Sequence, residues 1–394
     1  VELSRSDARR FLTRYHFAPG TVADVFRHLG SIQYDPLNPL GRNVDLVLQS
    51  RVPGYRVGDW EAVAYRDRLV VDCWDKKACL ALASDWPYRY PYHDDFRRRW
   101  DKRVFARHGE VVEATLNELR YRGPRTSLDF DDRRSVDEWR GSWYGPKLVK
   151  NVLRALWDSG RVATHHRVGG RHAYHLAVEV VPTSYFEFPR PTREAALRHL
   201  IRRRVGSMGL LRSVADSGLW SLPCTRFERM ELVAEMISEA ELVEVRVGGT
   251  TYLAAGDPRP LLDEARTPDR VRFVAPLDSL IWDRWSVRHL FGFDYVWEVY
   301  KPQEKRRWGY YVLPVLFGEQ FVARFDGRFS GGVWTVAAWY WEESRPGQAV
   351  LIALEDAVAS FAGYLGASHL NLPKGMDPAT RRAFRAGFAR RGDP

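Results

Sequence analysis

The sequence predicts an α+β protein: tandem winged-helix domains followed by a C-terminal antiparallel β-barrel. Three observations predict it. A helix, turn, helix and hairpin follow one another between Glu110 and Leu176. The same order recurs between Thr192 and Ala254, and both hairpins turn through Arg-Val-Gly-Gly, at Arg167-Val168-Gly169-Gly170 and Arg246-Val247-Gly248-Gly249. Beyond Asp257-Pro258-Arg259-Pro260 the composition shifts to short Val-, Phe-, Trp- and Tyr-rich runs broken by turn residues. Helix-turn-helix plus a Gly-Gly hairpin is the winged-helix pattern, and its echo argues for repetition.

Each element has a local reason. Ser4 or Ser6 can cap a first helix carrying Phe11, Leu12 and Tyr15, which Pro19-Gly20 breaks. Thr21 can cap a second, with Val22, Val25, Phe26 and Leu29 on one stripe and Gly30 at its end. In the second segment Val111, Val112, Thr115, Leu116 and Leu119 form a helical stripe. Pro146 suits the first position of a helix running to about Ser159. Two β-prone runs around Gly169-Gly170 make the hairpin. In the third segment Thr192 caps a helix, Ser213–Asp216 starts a short one, and Arg226 to about Glu239 forms a longer one with Phe227, Met230, Leu232, Val233 and Ile237 apolar. Runs such as Tyr310–Leu313, Phe321–Phe325 and Val333–Val336 read as strands of a barrel or strongly curved sheet. A helix over about 347–365 and an Arg-rich end follow. The expected segments are 1–105, 106–185, 186–265 and 266–394.

Composition narrows the function. Lys and Arg exceed Asp and Glu to give a formal net charge of +10, and Arg, which holds its charge and binds phosphate bidentately, dominates. A polyanionic partner, nucleic acid first, fits. The cysteines Cys73, Cys79 and Cys224 are odd in number and lack zinc spacing, which suits a reducing cytosol. No unbroken run of about eighteen apolar residues suggests a membrane span, and the N-terminus lacks the apolar core of a signal peptide. There is no Gly-rich phosphate loop or Ser/His/Asp arrangement. His165, His166, His172 and His175 share one hairpin, but alternation would spread them over both faces, so no metal site is expected. Asp94-Asp95 and Asp131-Asp132 lie beside Arg runs and suit solvated ion pairs.

Gln33-Tyr34-Asp35 is the most informative stretch. Pro36 biases Asp35 toward an extended conformation, where residues i and i+2 point to one face. Gln33 and Asp35 should then project together, with Ile32 and Tyr34 turned away. An amide that orients water beside a carboxylate that stabilises positive charge is a hydrolytic pair. The competing reading is an Asx-type turn closed by Asp35.

Five stretches now align in order. They are Gly30–Asp35, Ser50–Tyr55, Arg171–Leu176, Pro276–Arg284 and Lys305–Pro314. In these the chain resembles the YcaQ/AlkZ-type DNA glycosylases, a bacterial winged-helix family that releases bulky N7-alkylguanine adducts and unhooks interstrand crosslinks. The resemblance implies tandem winged helices and a β-barrel in a C-shaped DNA-binding channel, with Gln33 and Asp35 as the catalytic pair. Asp35 places the chain with the broader-specificity Gln-x-Asp branch, not the Gln-x-Gln one; Tyr34 stands where an aliphatic residue is often found. The implied partner is double-stranded DNA with alkylated or crosslinked guanine, bound by a monomer that needs no cofactor or metal, in the cytoplasm with the nucleoid. Asp35 needs no raised pKa, because its ionised form does the work. Arg51, Lys147, Lys150, Arg154, Arg202 and Arg203 are the candidate DNA contacts. A winged-helix regulator or damage-sensing scaffold without catalysis is the alternative, and Asp35 discriminates against it.

Overall fold

A computed structural model describes residues 1–391 apart from 19, 132–133, 143–144, 265–268 and 344–345. Pro19 and Asp132, singled out above, lie outside the described residues. The chain opens with β1 (Glu2–Leu3), α1 (Arg5–His16) and α2 (Val22–Leu29). Ser4 and Thr21 cap the two helices, each in a capping box with the Asp three residues on, Asp7 and Asp24. Two otherwise unsatisfied N–H groups are paired at each start, which fixes both helices in place. β2 (Ser31–Gln33) and α3 (Asn43–Gln49) follow, then the hairpin of β3 (Val70–Trp74) and β4 (Ala78–Leu82).

The middle of the chain contains α4 (Gly109–Arg122), α5 (Leu148–Asp158) and the hairpin β5 (Val162–Val168) with β6 (Arg171–Leu176). Pro146 is not the first residue of α5. Val136 N–H donates to Pro146 O (2.8 Å) and Leu148 N–H to Arg134 O (3.0 Å), so Lys147 is held extended as the N-cap and the helix starts at Leu148. Next come α6 (Arg193–Met208), β7 (Leu211–Arg212), a turn of helix at Ser217–Trp220, α7 (Arg226–Ser238) and the hairpin β8 (Val243–Val247) with β9 (Thr250–Ala254). Both hairpins pair the residues flanking the Gly-Gly turn, Val168 with Arg171 and Val247 with Thr250. On α7 the expected stripe is only partly buried: Leu232 and Met236 are inside with Arg229, whereas Phe227 and Met230 are exposed.

The C-terminal sheet has the order β10 (Val271–Phe273), β11 (Val312–Phe317), β12 (Gln320–Ser330), β13 (Val333–Trp341) and β14 (His369–Asn371). It is a curled half-barrel, the strongly curved sheet of the two forms expected. Bulges at Val315/Leu316 and Asp326/Gly327 bend it, β14 joins in parallel, and β10 and β14 remain edges. The core is completed by a helix instead of by strand closure. On α8 (Gln348–Leu365), Phe361 packs against Phe273, Phe325 and Trp334 with ring centroids 5.0, 6.3 and 5.1 Å apart. This helix has a mean hydropathy of 1.3, long and apolar enough to cross a membrane by composition. Its Leu354, Val358, Phe361 and Leu365 are nevertheless buried in the protein, and Glu355 and Asp356 pair with Arg390. It is a core helix.

The chain divides into two compact units. One comprises Val1–Trp60, Arg204–Leu219 and Ile237–Pro394; the other comprises Glu61–Arg203 and Trp220–Met236. The expected segment 1–105 is thus divided at Trp60, and the sequence boundaries at 105, 185 and 265 do not coincide with those of the units. The physical reason is where the first helix buries its apolar face. Ala8, Phe11 and Leu12 of α1 join a core with Val245, Tyr252, Val287, Leu290, Val312 and Leu316. In the same unit β1 extends the β8–β9–β7 sheet, pairing parallel to β8. In the other unit α4 and α5 enclose a core of Val112, Leu116, Leu119, Val149, Val152 and Leu156.

The packing of α8 against α9 (Pro378–Ala389) gives a sharp test. A Cβ at Gly387 would stand 2.2 Å from the Glu355 carbonyl oxygen. Gly→Ala inside a helix ordinarily stabilises by up to about 1 kcal/mol. Here Gly387→Ala is expected to destabilise by about 1–3 kcal/mol through overpacking, read as a lowered midpoint in thermal or urea unfolding.

Candidate active site

The Gln33–Asp35 segment starts where Gly30 ends α2. Ser31, Ile32, Gln33 and Tyr34 are all buried. The Tyr34 ring packs edge-on to Trp60, with centroids 6.1 Å apart. The Gln33 carbonyl accepts from Asn43 Nδ2 (2.8 Å). Its side-chain Oε1 is enclosed and has no hydrogen-bond partner among the described residues. A buried amide oxygen ordinarily meets a hydrogen-bond donor, from the protein or from water.

Asp35 is half-buried. Its Oδ1 accepts from Leu37 N–H (2.9 Å), so the Asx-type turn is present. Burial raises its pKa above the ordinary 3.8, and the Leu37 N–H opposes the rise. A carboxylate partly removed from water interacts more strongly with a nearby cation.

The following loop is tied down from three directions. Phe329 N–H of β12 donates to Pro39 O (2.6 Å). The Tyr364 hydroxyl of α8 donates to Leu40 O (3.1 Å). Leu277 N–H donates to Asn43 Oδ1 (3.1 Å). Gly41, at φ +107°, makes the fit possible, since a Cβ there would stand 1.7 Å from the Tyr364 hydroxyl.

Around this loop the fold gathers groups that the sequence reading did not assign. Asp45 is fully buried; its Oδ1 accepts from the Tyr55 hydroxyl (2.8 Å) and Gly58 N–H (2.9 Å). Burial raises its pKa. Tyr364 stacks on Tyr55. Tyr311 is buried, and burial followed by the negative charge of Asp35 pushes its phenol well above the ordinary range. The Lys305–Pro314 stretch contains Tyr311, but nothing local in it points to Asp35. Among the described residues, no three His, Cys, Asp or Glu are grouped to hold a metal. His172 bonds Thr164 (2.7 Å), and His165 contacts His166 and His175.

The basic candidates separate by burial. Arg51 is a correction: its side chain is enclosed, so it cannot reach a phosphate. Its Nη1 and Nη2 donate to Asp278 Oδ2 and Oδ1 (2.8 and 3.0 Å), and its Nε donates to His16 O (2.7 Å). Burial alone would raise the Asp278 pKa, but the Arg51 guanidinium holds it below the ordinary value. Burial, assisted by Arg51, lowers His16 to about 3. Arg154 is the second correction. It lies 4.6 and 4.4 Å over the Trp74 and Trp157 rings and pairs with Asp158 (3.0 Å), inside the protein surface. Lys147, Lys150 and Arg202 are exposed, and Arg203 is half-exposed with its Nε on Asp85 (3.0 Å). Asp94 and Asp95 pair with Arg190 and Arg99, as solvated acids should.

A family model described as DNA glycosylase AlkZ-like matches residues 26–364. The fold is similar to that of Streptomyces sahachiroi DNA glycosylase AlkZ, with a TM-score of 0.60 at 17% identity, covering 95% of this chain and 100% of that one. At that identity the likeness speaks for the fold.

The corrected role of Arg51 is testable. Arg51→Ala strands the Asp278 carboxylate and is expected to cost about 3–5 kcal/mol of stability in urea unfolding. The salt dependence of DNA binding should stay as in the wild type. A stable variant whose log–log salt slope falls by about 0.9 would restore the phosphate contact.

Proposed function

The chain belongs to the AlkZ-like DNA glycosylase family and is a hydrolase of N-glycosyl bonds in damaged DNA, and we propose that it releases N7-alkylguanine adducts and unhooks interstrand crosslinks, with Asp35 and Gln33 as its catalytic pair. The observation that carries the assignment is the half-buried Asp35 carboxylate, one oxygen held by Leu37 N–H, two residues from the buried Gln33 amide.

The chemistry suits this pair. N7-alkylation makes guanine cationic, so the base leaves neutral and needs little help from an acid. The protein must stabilise the developing oxocarbenium ion and guide water to C1′. Asp35 Oδ1 is fixed by Leu37 N–H, which sets the carboxylate plane. Oδ2 has no partner among the described residues and faces the task of attracting the cation and accepting a proton from water. Gln33 assists by holding the water or the sugar-phosphate near that carboxylate. Asn43 holds the Gln33 backbone so that the amide does not drift. Gln33, Asp35, Asn43, Asp45, Tyr311 and Tyr364 include no amine to form a Schiff base, which favours a monofunctional hydrolase.

Winged helices are the reading we give to the two helix–helix–hairpin stretches. We assign Lys147, Lys150, Arg202 and Arg203 to phosphate contact, which predicts affinity that falls steeply with salt and varies little with sequence. The enzyme acts as a monomer in the cytoplasm, on duplex DNA, without cofactor.

The test is single-turnover release of an N7-alkylguanine from duplex DNA, with binding measured in parallel. Asp35→Asn keeps shape and removes charge; it is expected to slow excision at least about a hundredfold, near 2.7 kcal/mol of transition-state stabilisation. Gln33→Ala should also slow it. Both should bind undamaged duplex as the wild type does. Wild-type excision by Asp35→Asn would assign Asp35 to the turn alone.

The acid limb of the rate profile follows from the burial of Asp35. The working form is the carboxylate, so excision is retained above the raised pKa and lost as pH falls through it. Its midpoint is expected above 3.8, the ordinary Asp value. A limb at or below 3.8 would show that another group controls the rate.

A further inference from the structure

The segment between Val299 and β11 is not used by the catalytic pair, and its chemistry is distinctive. Residues 300–310 carry Lys301, Lys305, Arg306 and Arg307 against one acid, Glu304. Tyr300 is 79% exposed and Tyr310 38%. The stretch is braced despite its lack of strand or long helix. Buried Glu298 accepts from Lys301 Nζ (2.9 Å) and Trp308 N–H (2.7 Å). Arg306 Nε donates to Lys301 O (2.8 Å). The Arg306 and Arg307 guanidinium groups lie 4.9 and 4.3 Å over the Tyr310 and Trp308 rings.

One strand joins this segment to the loop after Asp35. Asp326 of β12 accepts from Tyr310 N–H (3.0 Å) and Tyr311 N–H (2.8 Å). Further along β12, a Cβ at Gly327 would be 3.3 Å from Leu40, and Phe329 N–H bonds Pro39. Tyr310 is therefore held by the same strand that anchors the catalytic loop, and Arg306 lies over its ring.

We propose that Tyr310, with Arg306 and Arg307, is a platform for the DNA strand entering the active site, Tyr310 stacking on an unpaired base and the guanidinium groups taking its phosphates. Every base offers a π-face, and Arg supplies both charge and stacking, so the combination suits a single-stranded or locally opened segment of any sequence. Fully paired DNA hides its faces and would meet the Arg groups alone. The inference rests on the proposed glycosylase reading for what the strand does there, but its binding test does not need excision.

The experiment uses the full chain and fluorescence anisotropy on two unmodified duplexes, one fully paired and one with a single unpaired guanine. Tyr310→Leu is expected to weaken binding to the unpaired-base duplex about tenfold and to leave the paired duplex within about twofold. Tyr310→Phe should bind both as the wild type does, which separates stacking from loss of fold. Arg307→Gln should lower the log–log salt slope by about 0.9 on both. Equal affinity of Tyr310→Leu and wild type for the unpaired-base duplex would overturn the proposal. So would a Tyr310→Phe variant as weak as Tyr310→Leu, or an unchanged slope for Arg307→Gln. Asp35→Asn, run beside them for excision, keeps the two readings apart: wild-type excision by it would sink the catalytic assignment while the binding comparison still decides the platform.

Discussion

The buried Arg51–Asp278 ion pair is the constraint on which the site depends. Its partners are 227 residues apart in sequence. Such a pair cannot lose one member cheaply, because the other is left as an unpaired buried charge. Arg51 also binds the carbonyls of His16 and Val47, at the end of α1 and on α3. The pair therefore fixes the N-terminal helices against the strap that leads from β10. The residue beside Asp278 passes this registration on. Leu277 N–H meets Asn43 Oδ1, and Asn43 Nδ2 meets the Gln33 carbonyl. An N-terminal amide and carboxylate are positioned by a C-terminal segment.

This dependence explains what could be read locally and what could not. The helix starts were legible because Ser4/Asp7 and Thr21/Asp24 satisfy each other within one turn. The hairpins at Gly169-Gly170 and Gly248-Gly249 were legible for the same reason. The Gln33/Asp35 spacing is also local. Burial of a particular arginine is not. Arg51 and Arg154 look like Lys147 in sequence, yet their positions are decided by Asp278, and by Trp74 with Asp158.

How far the curved sheet closes was illegible for a related reason. Strand propensity reports a surface that must be covered, not what covers it. Here Phe361 of α8 fills the curl beside Phe273 and Trp334, and closure by strands is unnecessary. The residues gathered near Asp35 were missed on the same grounds. Tyr364 reaches Leu40 from α8, and Tyr311 is brought close by its place on the sheet. Only the folded chain makes them neighbours.

The turn closed by Asp35 was first a rival to chemistry, and the geometry makes the two compatible. Leu37 N–H takes one carboxylate oxygen and restrains the side-chain torsion. On the proposed mechanism the other oxygen meets the reacting group, already oriented and partly stripped of water. A fully solvated Asp would have to reorganise its hydration as the sugar becomes cationic; a fully paired one would have no oxygen to offer. Half burial with one internal hydrogen bond lies between those limits. The Arg51–Asp278 pair and the tethers from β12, α8 and Leu277 are what hold such an arrangement in a stable fold. On the proposed mechanism, the partial burial of residues 33–35 is what suits them to be a hydrolytic pair.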